Sequence, residues 1–297
     1  MDSACAAYLL QDTYTTYPAT RVKLEGRNMN DFFDSSSEGL AKPYNQSPIR
    51  AKLRDWACDI ILALAKGLSV VVAHPTKSVP RRRLLIVGVA VPGREADMHS
   101  VVRKLSDTSH EVTASITTMA NMGKFANIER AIAAAPEELG SYDWLVITDD
   151  DIDFSSGLLD KLIEFSERAG LILVQPAHKF NSHASFGITQ RHWGSLVRQT
   201  HFVEIGPLTL IRRDAFAKLL PFPSSRWCWG IDILWSKLAI DGGWKVGIVD
   251  ATPVAHLRPV AAMYDATAAI DEARALLARL GATTSRATVF SFNRRVF

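Results

Sequence analysis

The sequence predicts an α/β fold built on a doubly wound sheet, on three observations. Apolar runs rich in β-branched residues alternate with segments of helical period over residues 84–174. One of these runs, Trp144-Leu145-Val146-Ile147-Thr148, passes straight into Asp149-Asp150-Asp151. A chain of 297 residues with 47% apolar and 22% charged residues is also large enough to enclose an extensive core.

Residues 1–47 are polar, with Asn28-Met29-Asn30-Asp31 and Ser35-Ser36-Ser37, and lack sustained periodicity. They are expected to form an arm, partly without fixed structure. Residues 49–73 read as a helix, and His74-Pro75 opens a break that runs to Pro80. The most apolar window, residues 56–73, contains Asp59, Lys66 and Gly67. It is a poor match to the roughly 20 mostly uncharged residues of a membrane span, so a packed or interfacial helix fits better. Arg81-Arg82-Arg83 then leads into a strand, either as a solvated flank or as a contact for anionic lipid.

Residues 84–91 form a buried strand closed by Pro92-Gly93, and 95–106 a helix with Met98, Val101, Val102 and Leu105 at helical spacing. Residues 111–118 are rich in β-formers, and 125–135 are helical up to Pro136. The strand 144–148, a helix at 157–169 and a strand at 171–174 follow. After Pro176 the alternation loosens into a stretch rich in His, Asn, Ser and aromatic residues, 178–201. Beyond it come a strand at 208–211, a helix at 213–220, a helix from Asp232 through Ala239, a last strand at 246–249, a helix over about 265–280 and a basic tail.

A net charge of +3 gives no case for a nucleic-acid partner. Cys5, Cys58 and Cys228 have neither zinc spacing nor the pairing of a disulfide framework, which points to a reducing compartment. The start of the chain lacks a basic stretch followed by an apolar one, so a cytoplasmic location is expected.

Three neighbouring carboxylates repel one another unless a cation neutralises them. Asp149, Asp150 and Asp151 stand at the C-terminal end of a buried strand, where open α/β sheets bind their ligands. Hard oxygen ligands so placed suit Mg²⁺ or Mn²⁺, with substrate phosphates completing the shell. A helix cap would explain one carboxylate but not three. Asp153, Ser155 or Ser156 is expected to cap the helix that follows.

Over residues 83–258 this order of parts resembles the GT-A fold glycosyltransferases, in which a nucleotide-binding half ends in a short Asp-X-Asp motif and an acceptor-binding half follows. Asp149-Asp150-Asp151 satisfies that motif. The resemblance implies that Asp149 faces the donor nucleotide with Asp150 alongside, and that Asp151 is the principal metal ligand. Gly123-Lys124-Phe125-Ala126-Asn127 is similar to the Gly-Lys-X-X-X-Asn region of family-two glycosyltransferases, with one fewer intervening residue. Lys124 and Asn127 are therefore candidate donor contacts, and a cation beside a helix N-terminus suits an anion. Trp229-Gly230-Ile231-Asp232 resembles the later motif whose carboxylate is the general base of inverting enzymes; Asp232 otherwise reads as a helix N-cap.

Trp227 and Trp229 flank Asp232 as candidate acceptor contacts, although either serves equally well as core. His256 follows Pro253-Val254-Ala255, read as a turn, where GT-A enzymes often place a metal-binding histidine. Arg94 lies in the loop after the first strand, a position from which an arginine meets a diphosphate. His178, His183, His192 and His201 have no ligand spacing and stand as loop residues or acceptor-site candidates.

The resemblance thus implies a GT-A-type, Rossmann-like mixed sheet flanked by helices over residues 81–264. An N-terminal helical arm over 1–80 precedes it, and a C-terminal helix and tail over 265–297 follow. The activity implied is that of a metal-dependent, hexosyltransferase-like glycosyltransferase using Mn²⁺ or Mg²⁺. It would move a sugar from a nucleoside-diphosphate sugar to a hydroxyl of a glycan, lipid or small-molecule acceptor, with inversion. Apart from the resemblance, the apolar helix of residues 49–73 is a candidate for peripheral contact with a membrane. A sugar-phosphate nucleotidyltransferase also joins such a sheet to acidic metal ligands, but Val91-Pro92-Gly93-Arg94 is a weak version of its Gly-rich basic loop. Asp149, Asp150, Asp151, Asp232 and His256 together argue against a third reading, a non-catalytic sugar- or lipid-binding module.

Overall fold

The computed structural model describes residues 31–33, 48–72, 80–120, 122–259, 266–290 and 292–296. Helix α1 (Pro48–Val72) precedes an alternating series: β1 (Arg83–Ala90), α2 (Glu95–Leu105), β2 (Glu111–Thr118), α3 (Lys124–Ala133) and β3 (Trp144–Thr148). A two-residue strand β4 (Ile152–Asp153), α4 (Leu158–Ala169), β5 (Leu173–His178), β6 (Val197–Thr200), β7 (Leu208–Arg212) and the short α5 (Phe216–Leu219) come next. The chain continues through α6 (Ile231–Gly242), β8 (Val246–His256), α7 (Ala266–Arg279), α8 (Arg286–Val289) and β9 (Asn293–Arg295).

The central strands are apolar because both of their faces are covered. On β1 and β3, Leu85, Val87, Val89, Leu145 and Ile147 point into one core, which α3 and α6 close with Phe125, Ile128, Ile231 and Trp235. The alternate residues Leu84, Ile86, Trp144 and Val146 point into the other, closed by Met98, Val101 and Leu105 of α2 and by Leu159, Leu162 and Ile163 of α4. Each such side chain contributes about 1.5–3 kcal/mol by burial.

The strand order is β2-β1-β3-β7-β5-β8-β6-β9, with β4 paired to β8 off this path. Strand β1 lies parallel to β2 and β3, with α2 and α3 as the crossovers that parallel pairing needs. Strand β7 then runs antiparallel between β3 and β5. The sheet is therefore mixed: the doubly wound alternation describes its β2-β1-β3 half, and β7 reverses it.

Several local expectations are corrected. No side chain caps α4; its N-cap is Gly157 in the left-handed region, while Asp153 sits in β4 and bonds Lys104 at 3.1 Å and Lys179 at 3.5 Å. Pro253-Val254-Ala255 is not a turn but part of β8, which runs on to His256. Arg82 and Arg83 do not form an open basic surface: Arg82 forks onto Glu167 at 2.7 and 2.8 Å, and Arg83 bonds Glu111 and Glu137. Most of the polar stretch 1–47 lies outside the described residues, as does Cys5; Cys58 and Cys228 are free and buried. Phe32 and Phe33, however, are buried in an aromatic cluster with Phe186, Phe202 and Phe290, because Asp31 is fastened to Thr284 and Arg274.

Strands β6 and β8 are locked by a fully enclosed ion pair. Arg198 meets Asp250 at 2.9 and 3.1 Å and donates also to the carbonyls of Ile188 and Gln190. Asp250→Asn would leave the guanidinium charge buried without its partner. We expect that variant to lose about 3–5 kcal/mol in urea unfolding; a loss below about 1 kcal/mol would show that the pair does not hold these strands.

Candidate functional site

The carboxyl end of β3 is pinned on both sides. Asp149 N–H donates to the carbonyl of Pro207 at 2.9 Å, and Leu257 N–H donates to the carbonyl of Asp151 at 2.9 Å. Ile152 pairs with His256, so the acidic turn is folded against the last residue of β8.

Each carboxylate of the turn meets a different nitrogen-bearing side chain. Lys124 Nζ lies 2.6 Å from Asp149, Arg258 Nη1 lies 3.3 Å from Asp150, and His256 Nε2 lies 3.2 Å from Asp151. Burial, and then the neighbouring Asp151 charge, push the Asp150 carboxyl above the usual range against the pull of Arg258. Burial also works to raise Asp151, but the hydrogen bond and charge of His256, with Arg258 and Lys124, hold it below that range. For His256, burial alone would lower the imidazole; the bond to Asp151 and the charges of Asp151 and Asp149 outweigh it and lift the ring above its ordinary value.

Two glycines make this convergence possible. Gly123, the N-cap of α3, has φ +84, and a Cβ there would lie 2.6 Å from the carbonyl oxygen of Ser225, so only glycine lets the start of α3 approach the 225–230 loop. A Cβ on Gly206 would lie 2.8 Å from Asp149 Oδ2 and 3.0 Å from Lys124 Nζ.

Asp149, Asp151 and His256 each offer a ligand atom, and the three lie within 4.8 Å of one another. Asp150 Oδ2 is buried with no hydrogen-bond partner. Two carboxylates and an imidazole form a donor set suited to a Mn²⁺-type ion, and the orphaned oxygen beside them is a further sign that a positive group belongs here.

A polar column runs behind the cluster. Ser182 Oγ accepts from His256 N–H at 2.8 Å and contacts His178 Nδ1 at 2.8 Å, and the other face of His178 lies 3.5 Å from Glu204. Glu204 accepts from Phe186 N–H and Thr189 Oγ1, and its charge acts on both His256 and Asp232.

Other sequence-predicted residues fall in different places. Asp232 is buried in the first turn of α6, whose N-cap is Gly230, so it is not the cap; its Oδ1 accepts from Ile233 N–H at 2.9 Å. Asn127 is enclosed, and its amide is spent on the backbone of Ala120 and Gly123, which braces the loop before α3. Arg94 occupies the N-cap position of α2, close enough for its charge to act on Asp150. Trp227 is half-buried under Arg226, with its backbone N–H on Glu272, and Trp229 packs against the aromatic cluster. His183 N–H donates to the His256 carbonyl, His192 lies by Asp250, and His201 stacks on Phe292. Neither Arg258 nor Glu204 stands in a motif of the sequence. Arg258 follows His256 by two residues, which was the one signal that could have found it; Glu204 had none.

No family model matches the chain, and no curated protein is significantly similar to it. Solved structures are. A mutant Drosophila β1,4-galactosyltransferase 7 in complex with manganese, UDP-Gal and xylobiose shares 14% identity over 59% of this chain and 71% of its own, with a TM-score of 0.41. The mannosyltransferase PcManGT from Pyrobaculum calidifontis, in complex with GDP-Man and Mn²⁺, shares 13% over 78% of this chain and 75% of its own, with a TM-score of 0.44. TarS of S. aureus shares 12% over 58% and 59%, at 0.41. Likeness at this distance does not decide what the chain binds; its own side chains do.

Among the sequence-predicted carboxyls, Asp232 is the most perturbed. Burial raises it, the Ile233 hydrogen bond opposes that, and the Glu204 charge adds to it, for a net value of about 7. Between 3.8 and about 7 the folded chain therefore holds a proton that the unfolded chain has released, so this group's contribution is full below 3.8 and is lost as pH rises to about 7. Asp232→Asn removes that loss. We expect the melting temperature of the variant, relative to the unsubstituted chain, to climb between about pH 4 and pH 8. A constant difference across that range would mean that Asp232 ionises as readily as an exposed carboxylate.

Proposed function

We propose that this chain is a metal-dependent glycosyltransferase that moves a sugar from a nucleoside-diphosphate sugar to an acceptor hydroxyl. The observation that carries this reading is the convergence of Asp149, Asp151 and His256 within 4.8 Å at the end of a buried strand, with Lys124 and Arg258 beside them. Carboxylates and an imidazole suit a divalent cation, and a lysine with an arginine suits the oxygens of a diphosphate. Asp149, Asp151 and His256 would hold the ion, Mn²⁺ or Mg²⁺, which when bound supplies a Lewis-acid counter-charge to the leaving diphosphate.

The remaining chemistry belongs to the chain. Lys124 and Arg258, now on carboxylates, are the cations that would hold phosphate oxygens, and Arg94 at the start of α2 adds a third. Asp232, with a pKa of about 7, is tuned to accept a proton near neutral pH. As it takes the proton of the acceptor hydroxyl, that oxygen attacks the anomeric carbon and the bond from carbon to the diphosphate oxygen breaks. A single base on the acceptor side makes the transfer inverting. Trp227 and Trp229, five and three residues before Asp232, are the aromatic faces proposed to line the acceptor.

Two substitutions separate the roles. Asp151→Asn keeps the shape and removes the charge, so calorimetric titration of a nucleoside diphosphate with Mn²⁺ should show binding lost; unchanged affinity would remove Asp151 from the metal site. Asp232→Asn should bind donor and metal normally while turnover falls by about two to four orders of magnitude. In the unsubstituted enzyme, kcat/KM should rise with pH through about 7. A near-normal rate in Asp232→Asn would sink the general-base assignment and, with it, the basis for inversion.

A further inference from the structure

Helix α1 has two opposite stripes. Ala51, Asp55, Cys58 and Leu62 are buried, with Ala51 and Cys58 packed against Phe180. Ile49, Leu53, Trp56 and Ile60 repeat the same spacing of four, three and four residues half a turn away. They are exposed, Ile49 at 71%, Leu53 at 58% and Trp56 at 64%. Large apolar side chains scattered singly over a surface need no explanation, but a continuous line of four with Ile61 beside it does.

Three exposed cations flank that line, and its one exposed acid, Asp59, is held by Arg191. Arg50, Lys52 and Arg54 are exposed. The two acids of the same stretch are engaged by the protein: Asp55 accepts from Phe180 N–H and pairs with Arg191, and Asp59 pairs with Arg191 at 2.8 Å. The surface continues beyond the helix. Arg54 lies over the Phe180 ring at 4.7 Å, and Phe180 neighbours Trp193, which is exposed and whose carbonyl accepts from Arg295 of the edge strand β9.

An apolar line with basic flanks and an exposed tryptophan matches the boundary between acyl chains and anionic headgroups. A second copy of the chain would instead set basic flanks against basic flanks. We propose that α1 lies on the surface of an anionic lipid bilayer, with Ile49, Leu53, Trp56 and Ile60 at the acyl boundary and Arg50, Lys52 and Arg54 against headgroup phosphates. No helix among the described residues is long and apolar enough to cross a membrane. This docking is independent of glycosyl transfer and stands or falls separately.

Co-sedimentation of the full chain with vesicles tests it, using phosphatidylcholine alone and phosphatidylcholine mixed with phosphatidylglycerol. The chain should bind the anionic vesicles, bind the neutral ones poorly, and release as salt rises. Leu53→Glu with Trp56→Glu should weaken binding at least about tenfold, and Arg50→Glu with Lys52→Glu about tenfold with loss of the salt dependence, both at unchanged melting temperature. Absent binding, or equal binding by the Leu53→Glu, Trp56→Glu chain, would overturn the proposal. So would a dimer in light scattering that those two substitutions convert to monomer, which would assign the stripe to a second copy.

Discussion

Like charges on adjacent residues have to be balanced, and that requirement organises one end of this molecule. Strand β3 delivers Asp149, Asp150 and Asp151 together, because a strand buried on both faces must end where its charged residues begin. Their partners arrive by two separate routes. Lys124 comes at the start of α3, held against the 225–230 loop by Gly123. His256 comes at the end of β8, fixed by its pairing with Ile152, and Arg258 follows two residues on. Under the proposed function the same groups change partners when donor binds: an ion takes Asp149, Asp151 and His256, and phosphate oxygens take Lys124 and Arg258. The pairs keep the turn assembled and compact while leaving each member available to a stronger ligand.

The column behind the turn carries a stability cost. His178, Ser182, Gln175 and Glu204 are buried, and a well-packed apolar set would replace them at little loss. Most of their polar atoms are satisfied: Gln175 Oε1 accepts from Glu204 N–H at 2.5 Å, and Ser182 ties His178 to the backbone of His256. His178 Nε2 is not; it has no hydrogen bond, although Glu204 lies 3.5 Å away. Burying Asp232 next to the charge of Glu204 adds a carboxyl that resists ionising up to about pH 7. Enclosed polar groups that cost stability are found where orientation and proton affinity matter more than packing.

What could be read in the sequence and what could not follow from sequence distance. The strand ending in three aspartates was visible because its pattern is local, and the helices α2, α3, α4 and α6 because their apolar residues recur at helical spacing. Strands β4 and β9 escaped because two or three residues carry no period, and β6, Val-Arg-Gln-Thr, because its arginine turns inward onto Asp250. Phe32 and Phe33 looked like part of a polar arm, since their aromatic partners Phe186, Phe202 and Phe290 lie more than half the chain away. The pairing of one nitrogen-bearing side chain to each aspartate could not be read at all. It depends on β7 running antiparallel to β3 and on β8 continuing past Pro253, and neither strand direction nor strand length is written in spacing.

The central claim is that Asp149, Asp151 and His256 together form a cation site whose neighbouring lysine and arginine take a diphosphate. Crystals grown with Mn²⁺ and a nucleoside diphosphate, with diffraction recorded at the manganese absorption edge, test it directly. The account predicts one strong anomalous peak between those three side chains, with the diphosphate against Lys124 and Arg258. Manganese bound elsewhere, or diphosphate bound with the three aspartates still on their own partners, would contradict it.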